Sequence, residues 1–226
     1  MERFDREINL IGQENFDKIT SKKVIVFGTG GVGGYVAEML VRSGISNLTL
    51  VDFDTINITN LNRQIISLSS NVGQLKVEEF EKRIKDINPK INLKVLPIKL
   101  TPNNIEEFHL EDYDYVVDCI DSFKDKLALI EFCYFNNINI ISSMGAGNRY
   151  KPTNYQILDI YKTKNDSLAR KLRNALKKSG VTKLKVCCPT TLSDNTTDKT
   201  KVYSMSYNVA LCGITLSSFI INDIIK

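Results

Sequence analysis

The chain has no tryptophan, five prolines and a single histidine in 226 residues. Proline this sparse, with only twelve glycines, excludes Pro-rich and collagen-like architectures. The lone histidine, His109, sits between Phe108 and Leu110 beside acidic residues. It reads as a surface or packing residue, so any chemistry has to come from other side chains. The five cysteines, Cys119, Cys133, Cys187, Cys188 and Cys212, form no C-x-x-C pair. A structural zinc knuckle has no ligand pattern here, and the thiols read as buried and reduced. Uninterrupted hydrophobic runs are missing too. The longest weakly polar stretch, Val202 to Ile225, is broken by Ser204, Ser206, Asn208, Ser217, Ser218, Asn222 and Asp223. It reads as a buried helix and not as a membrane span. The opening MERFDREINL has no apolar centre, so no signal peptide is expected there and the cytoplasm is the expected compartment.

What is present is ordinary globular composition, 42% hydrophobic and 25% charged. That supports one large two-sided core and argues against disorder. The net charge of +4 is unevenly spread. Lys162 to Lys185 carries nine basic residues and one acid, Asp166, which leaves the rest of the chain at about −4. A basic segment on a mildly acidic body points to a polyanionic partner.

Lys23 to Phe27 (KVIVF) reads as a short buried parallel strand. It runs into Gly28-Thr29-Gly30-Gly31-Val32-Gly33, then a helix from Tyr35 to Arg42, then a strand Leu48 to Val51 ending at Asp52-Phe53-Asp54. Strand, Gly-rich turn, helix and strand make a βαβ unit. Further along, Val77 to Ile87 and Leu127 to Phe135 read as helices. Ile91 to Ile98, Tyr115 to Val117 and Asn139 to Ile141 read as strands. The alternation predicts an α/β fold: a Rossmann-like, mostly parallel sheet with helices on both faces. After Gly147 the pattern changes to a strand Tyr155 to Tyr161, a helix Ser167 to Lys178, a strand Leu184 to Cys187, a polar loop Ser193 to Lys201 and the final helix. The expectation is a single domain over 1–226, with a nucleotide-binding core over 1–147 and a C-terminal α+β extension over 148–226 packed on the sheet.

Gly28, Gly30 and Gly33 fit G-x-G-x-x-G, which brings a phosphate to a helix N-terminus. Asp52 lies 19 residues beyond Gly33, where a carboxylate bonds ribose hydroxyls, and Asp54 follows it. Arg63, Lys76 and Asp121 all fall at or after strand ends. Two cations for a triphosphate and a carboxylate for Mg²⁺ favour ATP over NAD.

GTGGVGG, LVDFDTINITNLNRQ, VGQLK and VVDCIDS together resemble the ubiquitin-activating-enzyme-like superfamily, which adenylates carboxylates with MgATP. Within it the chain is similar to the tRNA threonylcarbamoyladenosine dehydratases. The features that carry this are RFDREINLIG, INPK with TPNNIEEF, SSMGAGNRYKPTNYQILDIYKT and SLARKLRNALKKSGV. The resemblance implies that Gly31 packs under the phosphates and Asp52 binds ribose. It implies that Asn60, Arg63 and Lys76 meet phosphates, and that Asp121 serves the metal with Ser122 beside it. Arg6, the second arginine of an R-x-x-R opening, would reach into a neighbouring subunit, which implies a homodimer. The segment between Cys188 and the last helix lacks a match to a sulfur-accepting cysteine, which speaks against a sulfur relay.

The basic helix supports an RNA substrate separately. Leu168, Leu172 and Leu176 mark one face, leaving Arg170, Arg173 and Lys177 for RNA phosphates, which the resemblance implies are those of tRNA carrying threonylcarbamoyladenosine. The expected reaction is adenylation of the threonyl carboxylate, then ring closure with loss of AMP. The rival readings are activation of a ubiquitin-like sulfur carrier, an NAD(P) oxidoreductase, and a non-catalytic RNA-binding protein.

Overall fold

The structure, a computed structural model, describes residues 2–194, 196, 198 and 201–226. Part of the polar loop 193–201 therefore lies outside the described residues.

Two short helices open the chain, α1 (Asp5–Ile11) and α2 (Gln13–Ser21), separated by Gly12 at φ 84°. The sequence pattern did not announce them. Helix α1 buries no residue, so its stretch has no apolar stripe to read. Then follow β1 (Lys23–Phe27), α3 (Gly33–Arg42), β2 (Asn47–Val51), α4 (Lys76–Ile87), β3 (Asn92–Leu96) and β4 (Tyr115–Asp118). Next come α5 (Phe123–Phe135), β5 (Ile140–Ser143), β6 (Tyr155–Asp159), α6 (Ser167–Ser179), β7 (Lys185–Pro189) and α7 (Ser206–Ile224).

The strands form one seven-stranded sheet in the order β3-β2-β1-β4-β5-β7-β6. Every neighbouring pair is parallel except β6 against β7. The C-terminal third thus does more than pack on the sheet: β7 pairs directly with β5 and extends it. The chain leaves β1 towards β2 and β3, then returns to lay β4 on the other side of β1. That reversal opens a crevice at the carboxyl ends of β1 and β4, where open α/β sheets bind ligands.

Period-two alternation divides the core. Val24 and Val26 of β1 face a cluster with Val36, Leu40, Phe80 and Leu216. Ile25 and Phe27 face another with Leu129, Ile130, Leu172 and Leu176. Both strand faces are covered, so the strand reads as a continuous apolar run.

Several boundaries differ from the sequence reading, three of them for identifiable reasons. Helix α5 starts at Phe123 and includes Lys126, a lysine with no exposed surface that escapes a search for apolar spacing. Strand β5 runs on through Ser142 and Ser143, polar residues buried inside the sheet. Helix α7 begins at Ser206, because residues 202–205 stay outside it with Val202 75% exposed. By length and composition α7 suffices to cross a membrane. In this fold it packs on α3, β6 and β7, with Val209, Cys212, Leu216 and Ile220 buried.

Candidate active site

Gly28, at φ 83°, bends the chain after β1. At Gly33 an added Cβ would come within 1.8 Å of the Gly28 carbonyl oxygen, so the turn closes only without a side chain there. Asp52, at the end of β2, ties the turn down. The Thr29 N–H donates to Asp52 Oδ2 at 2.7 Å, and the Thr29 hydroxyl does so at 3.0 Å. Asp52 Oδ1 accepts the Asp54 N–H at 2.9 Å. A carboxylate has about four acceptor positions, so capacity remains for one further donor.

Lys76 stands at the first position of α4 and is 4% exposed. Its ammonium donates to Asp54 Oδ2 at 2.7 Å and lies 4.0 Å from Asp52 Oδ2. A buried ammonium requires such a partner. Arg63 donates from Nη1 to the Thr59 carbonyl at 2.7 Å and to Asn62 Oδ1 at 2.9 Å. Asn60 Oδ1 accepts the Asn57 N–H at 2.9 Å, fixing the turn that carries Arg63. Asp121 is exposed and follows β4, with Ser122 at the start of α5.

One cavity of about 940 Å³ gathers these residues. Gly28, Gly30, Gly31, Asp52, Asp54, Asn60, Arg63, Lys76, Asp121 and Ser122 all line it. Gly33 lies beneath the turn and does not. What crowds Gly31 is Val209 of α7, 3.3 Å from where a Cβ would sit. Arg6 is exposed on α1 and is not among the lining residues.

The basic helix needs a correction. Its buried face is Ala169, Leu172 and Leu176, while Leu168 is half-exposed and borders the cavity. Arg170 and Lys177 are exposed, but Arg173 is turned inward. Its Nη1 donates to the Thr163 carbonyl at 3.0 Å and the Thr163 hydroxyl at 2.5 Å. Arg173 Nη1 is thus engaged by the turn before α6 and not by solvent. Asp166 caps the helix through the Ala169 N–H at 2.8 Å, and Gly180 closes it at φ 84°.

Sequence reasoning missed the groups that hold the cleft from behind. Lys126 Nζ donates to Asp118 Oδ2 at 2.7 Å, Ser142 Oγ at 3.1 Å and the Ser143 carbonyl at 3.1 Å. Ser142 also donates to Asp118 at 2.6 Å, and Asp118 Oδ1 accepts the Ile120 N–H at 3.0 Å. The turn bearing Asp121 is thus moored to a buried ion pair. Arg149, which also lines the cavity and is 4% exposed, donates to the carbonyls of Gly145, Gly147, Asn165 and Thr191. It also lies 3.6 Å from Asp166. A lysine inside the apolar run KLALIEF and an arginine after Gly-Ala-Gly are the only traces these leave in sequence.

Burial, then Asp118, pushes the Cys119 thiol far up, and burial pushes Cys133 and Cys188 up to about 12. All five cysteines are free. His109 is exposed at φ 47°. Among the described residues no group of three or more His, Cys, Asp or Glu is placed to hold a metal ion.

The sequence matches the ThiF family over residues 4–163. It is 42% identical over 183 residues to the tRNA threonylcarbamoyladenosine dehydratase of Bacillus subtilis, covering 81% of this chain and 72% of the relative. It is 40% identical over 177 residues to the Haemophilus influenzae enzyme of the same name, covering 78% and 68%. The Escherichia coli tRNA N6-threonylcarbamoyladenosine dehydratase, solved in complex with ATP, superposes with a TM-score of 0.89. The two are 36% identical, and the match covers 98% of this chain and 93% of that one.

Proposed function

The chain belongs to the ThiF family, and from that premise we propose that it is an ATP-dependent dehydratase cyclising threonylcarbamoyladenosine in tRNA. The observation that carries the reading is convergence. Ten residues spread from Gly28 to Ser122 meet in one cleft at the switch point of the sheet, in a chain whose relatives bear that activity in their names.

The chemistry follows from the cleft. A carboxylate is a poor electrophile because its leaving group would be oxide. Attack of the threonyl carboxylate oxygen on the α-phosphorus of ATP releases pyrophosphate and leaves an acyl-adenylate. The carbamoyl group then closes on the activated carbonyl carbon, and the acyl–oxygen bond breaks with AMP as leaving group. Asp52 takes the ribose with its spare acceptor position. Gly30 and Gly31 bring backbone to the phosphates, and Asn60 meets them from the side. Arg63 and Lys76 neutralise charge as it develops, Lys76 exchanging part of its contact with Asp54 for phosphate oxygen. Asp121, with Ser122 next to it, is the one exposed carboxylate at the β4 end. A single carboxylate fits Mg²⁺, which commonly takes its other ligands from phosphates and water. When bound, the ion would supply charge neutralisation. No protein nucleophile is needed, in keeping with burial that raises the Cys119, Cys133 and Cys188 thiols.

Arg170 and Lys177 face solvent for tRNA phosphates. The outer face of α7 exposes Tyr207, Leu211 and Ile214 at helical spacing, which supports an isologous homodimer. Arg6, exposed and away from its own cleft, is then available to a neighbour's. We place the enzyme in the cytoplasm with its tRNA.

The test is ATP–pyrophosphate exchange with modified tRNA, unmodified tRNA and no added RNA. Exchange is expected with modified tRNA alone. Equal exchange in all three, or none in any, would overturn the reading.

A further inference from the structure

A second, smaller cavity of about 280 Å³ lies beside the first. Its walls include Gln156, Lys162, Lys164, Asn165 and Thr190, with Leu158, Cys188 and Pro189 as its apolar part. Asn165 borders this pocket, while the next two residues, Asp166 and Ser167, border the large cleft. The two cavities are therefore neighbours across the start of α6. The ridge between them is fixed. Asn165 sits at φ 62°, its Nδ2 donates to the Thr190 carbonyl at 2.9 Å, and its own carbonyl accepts from Arg149 at 3.2 Å.

The charges around the pocket are uncompensated. Lys162 and Lys164 are exposed, and among the described residues neither is in an ion pair with an acid. The same holds for Arg170, Lys171, Lys177 and Lys178 on the outer face of α6. The single acid of the segment, Asp166, is turned inward against Arg149 with its side chain 4% exposed. A strip of cations thus begins at the small pocket and continues along α6. Such a strip repels itself in the free protein and gains by meeting anions. The pocket at its end offers the Gln156 amide, the Asn165 amide oxygen and the acceptor side of the Thr190 hydroxyl, whose hydrogen goes to the Asn154 carbonyl at 3.1 Å, and no aromatic ring. Stacking platforms serve sequence-tolerant strands, whereas polar edges read a base placed in a fixed position.

We propose that this pocket is a subsite for the nucleotide adjoining the modified adenosine. Lys162 and Lys164 hold its phosphate, and Gln156, Asn165 and Thr190 meet the edge of its base. The inference rests on the tRNA reading above and deepens it. The strand enters the large cleft with the modified nucleoside, crosses the start of α6, and seats its neighbour in the second pocket.

The test combines Lys162→Gln/Lys164→Gln protein with two sets of modified anticodon stem-loops, one intact and one abasic at either nucleotide flanking the modified adenosine. Two single-strand phosphate contacts carry a salt slope of about 0.7 each. The double variant should bind the intact RNA about 25-fold more weakly at 0.1 M salt, with a slope smaller by about 1.4. ATP binding, which touches neither lysine, should stay at the wild-type value and reports an intact fold. Wild-type protein should bind one abasic RNA more weakly than the intact one, and the variant should show a smaller difference. Wild-type affinity and slope in the variant would overturn the subsite, as would indifference of the wild-type protein to both abasic RNAs. If wild-type protein binds modified and unmodified tRNA no better than heparin, the tRNA reading itself falls and the subsite with it.

Discussion

Replacing Lys126 by methionine tests the architecture behind the cleft. Lys126 has no exposed surface, and each of its three ammonium donors is taken, by Asp118, Ser142 and the Ser143 carbonyl. Methionine fills similar space but leaves Asp118 as a buried carboxylate held only by the Ser142 hydroxyl and the Ile120 N–H. Removing one member of a buried pair costs about 3–5 kcal/mol. Unfolding entropy of about 2.1 cal/mol/K per residue gives about 0.5 kcal/mol/K for a chain this long. The melting temperature should therefore fall by about 6–10 °C. Lys126→Met combined with Asp118→Asn removes the stranded charge and should recover more than half of that loss, because a neutral pair avoids the desolvation penalty. Thermal unfolding followed by circular dichroism at neutral pH measures all three proteins. A single variant melting within 2 °C of wild type, or a double variant no better than the single, would refute the reasoning. ATP affinity should fall with the single variant as well, since Asp118 anchors the turn that presents Asp121.

Asp121→Ala leaves an exposed site, so melting should be unchanged while pyrophosphate exchange falls by about 10²-fold or more; full exchange at ordinary Mg²⁺ would remove Asp121 from the mechanism. Arg173→Gln should destabilise the fold by about 1–3 kcal/mol, because the Thr163 carbonyl and hydroxyl lose their donor. Arg170→Gln/Lys177→Gln should instead weaken tRNA binding and leave the melting temperature alone; the reverse pattern in urea titrations and salt-dependent binding would contradict the assignment of these three residues. Glu38 pairs with Arg42 of its own helix α3 and with Arg83 of α4; burial pushes its carboxyl up, but the hydrogen bonds and charges of the two arginines outweigh this and hold it below the usual range. Its stabilising effect is then present above the ordinary glutamate range near about 4.3 and is lost as pH falls through the depressed folded value. Glu38→Gln should accordingly destabilise at pH 7 and much less in strong acid, whereas a pH-independent difference in urea midpoints would count against the linkage. Mixing Arg6→Ala with Arg63→Ala protein should restore exchange in the heterodimer if Arg6 crosses over, and no recovery would confine Arg6 to its own chain.

Local chemistry determined much of this protein. KVIVF followed by the Gly-rich turn specifies strand, bend and helix within a dozen residues, since a fully buried strand has one composition and the turn tolerates little besides glycine. Asp52 and Asp121 were legible because each follows a strand end, and in a parallel sheet all such ends lie on one side; Arg63 and Lys76 sit on the connection that leaves the end of β2 and at the start of α4. The pairing of β7 with β5 could not be read that way, because register between segments more than 40 residues apart leaves no mark in either. The basic run was legible as charge but not as direction. Arg170, Arg173 and Lys177 look alike in sequence, and only the fold brings the Thr163 carbonyl to Arg173 while leaving the other two in solvent. The same holds for Lys126, Asp118 and Arg149. A buried ion pair is defined by what surrounds it, and those surroundings come from strands and loops distant in the chain. Sequence thus determined which chemical groups stand at the mouth of the cleft. Tertiary structure decided which charges are spent holding it open and which are left free for a ligand, because desolvation and pairing depend on neighbours that only folding supplies.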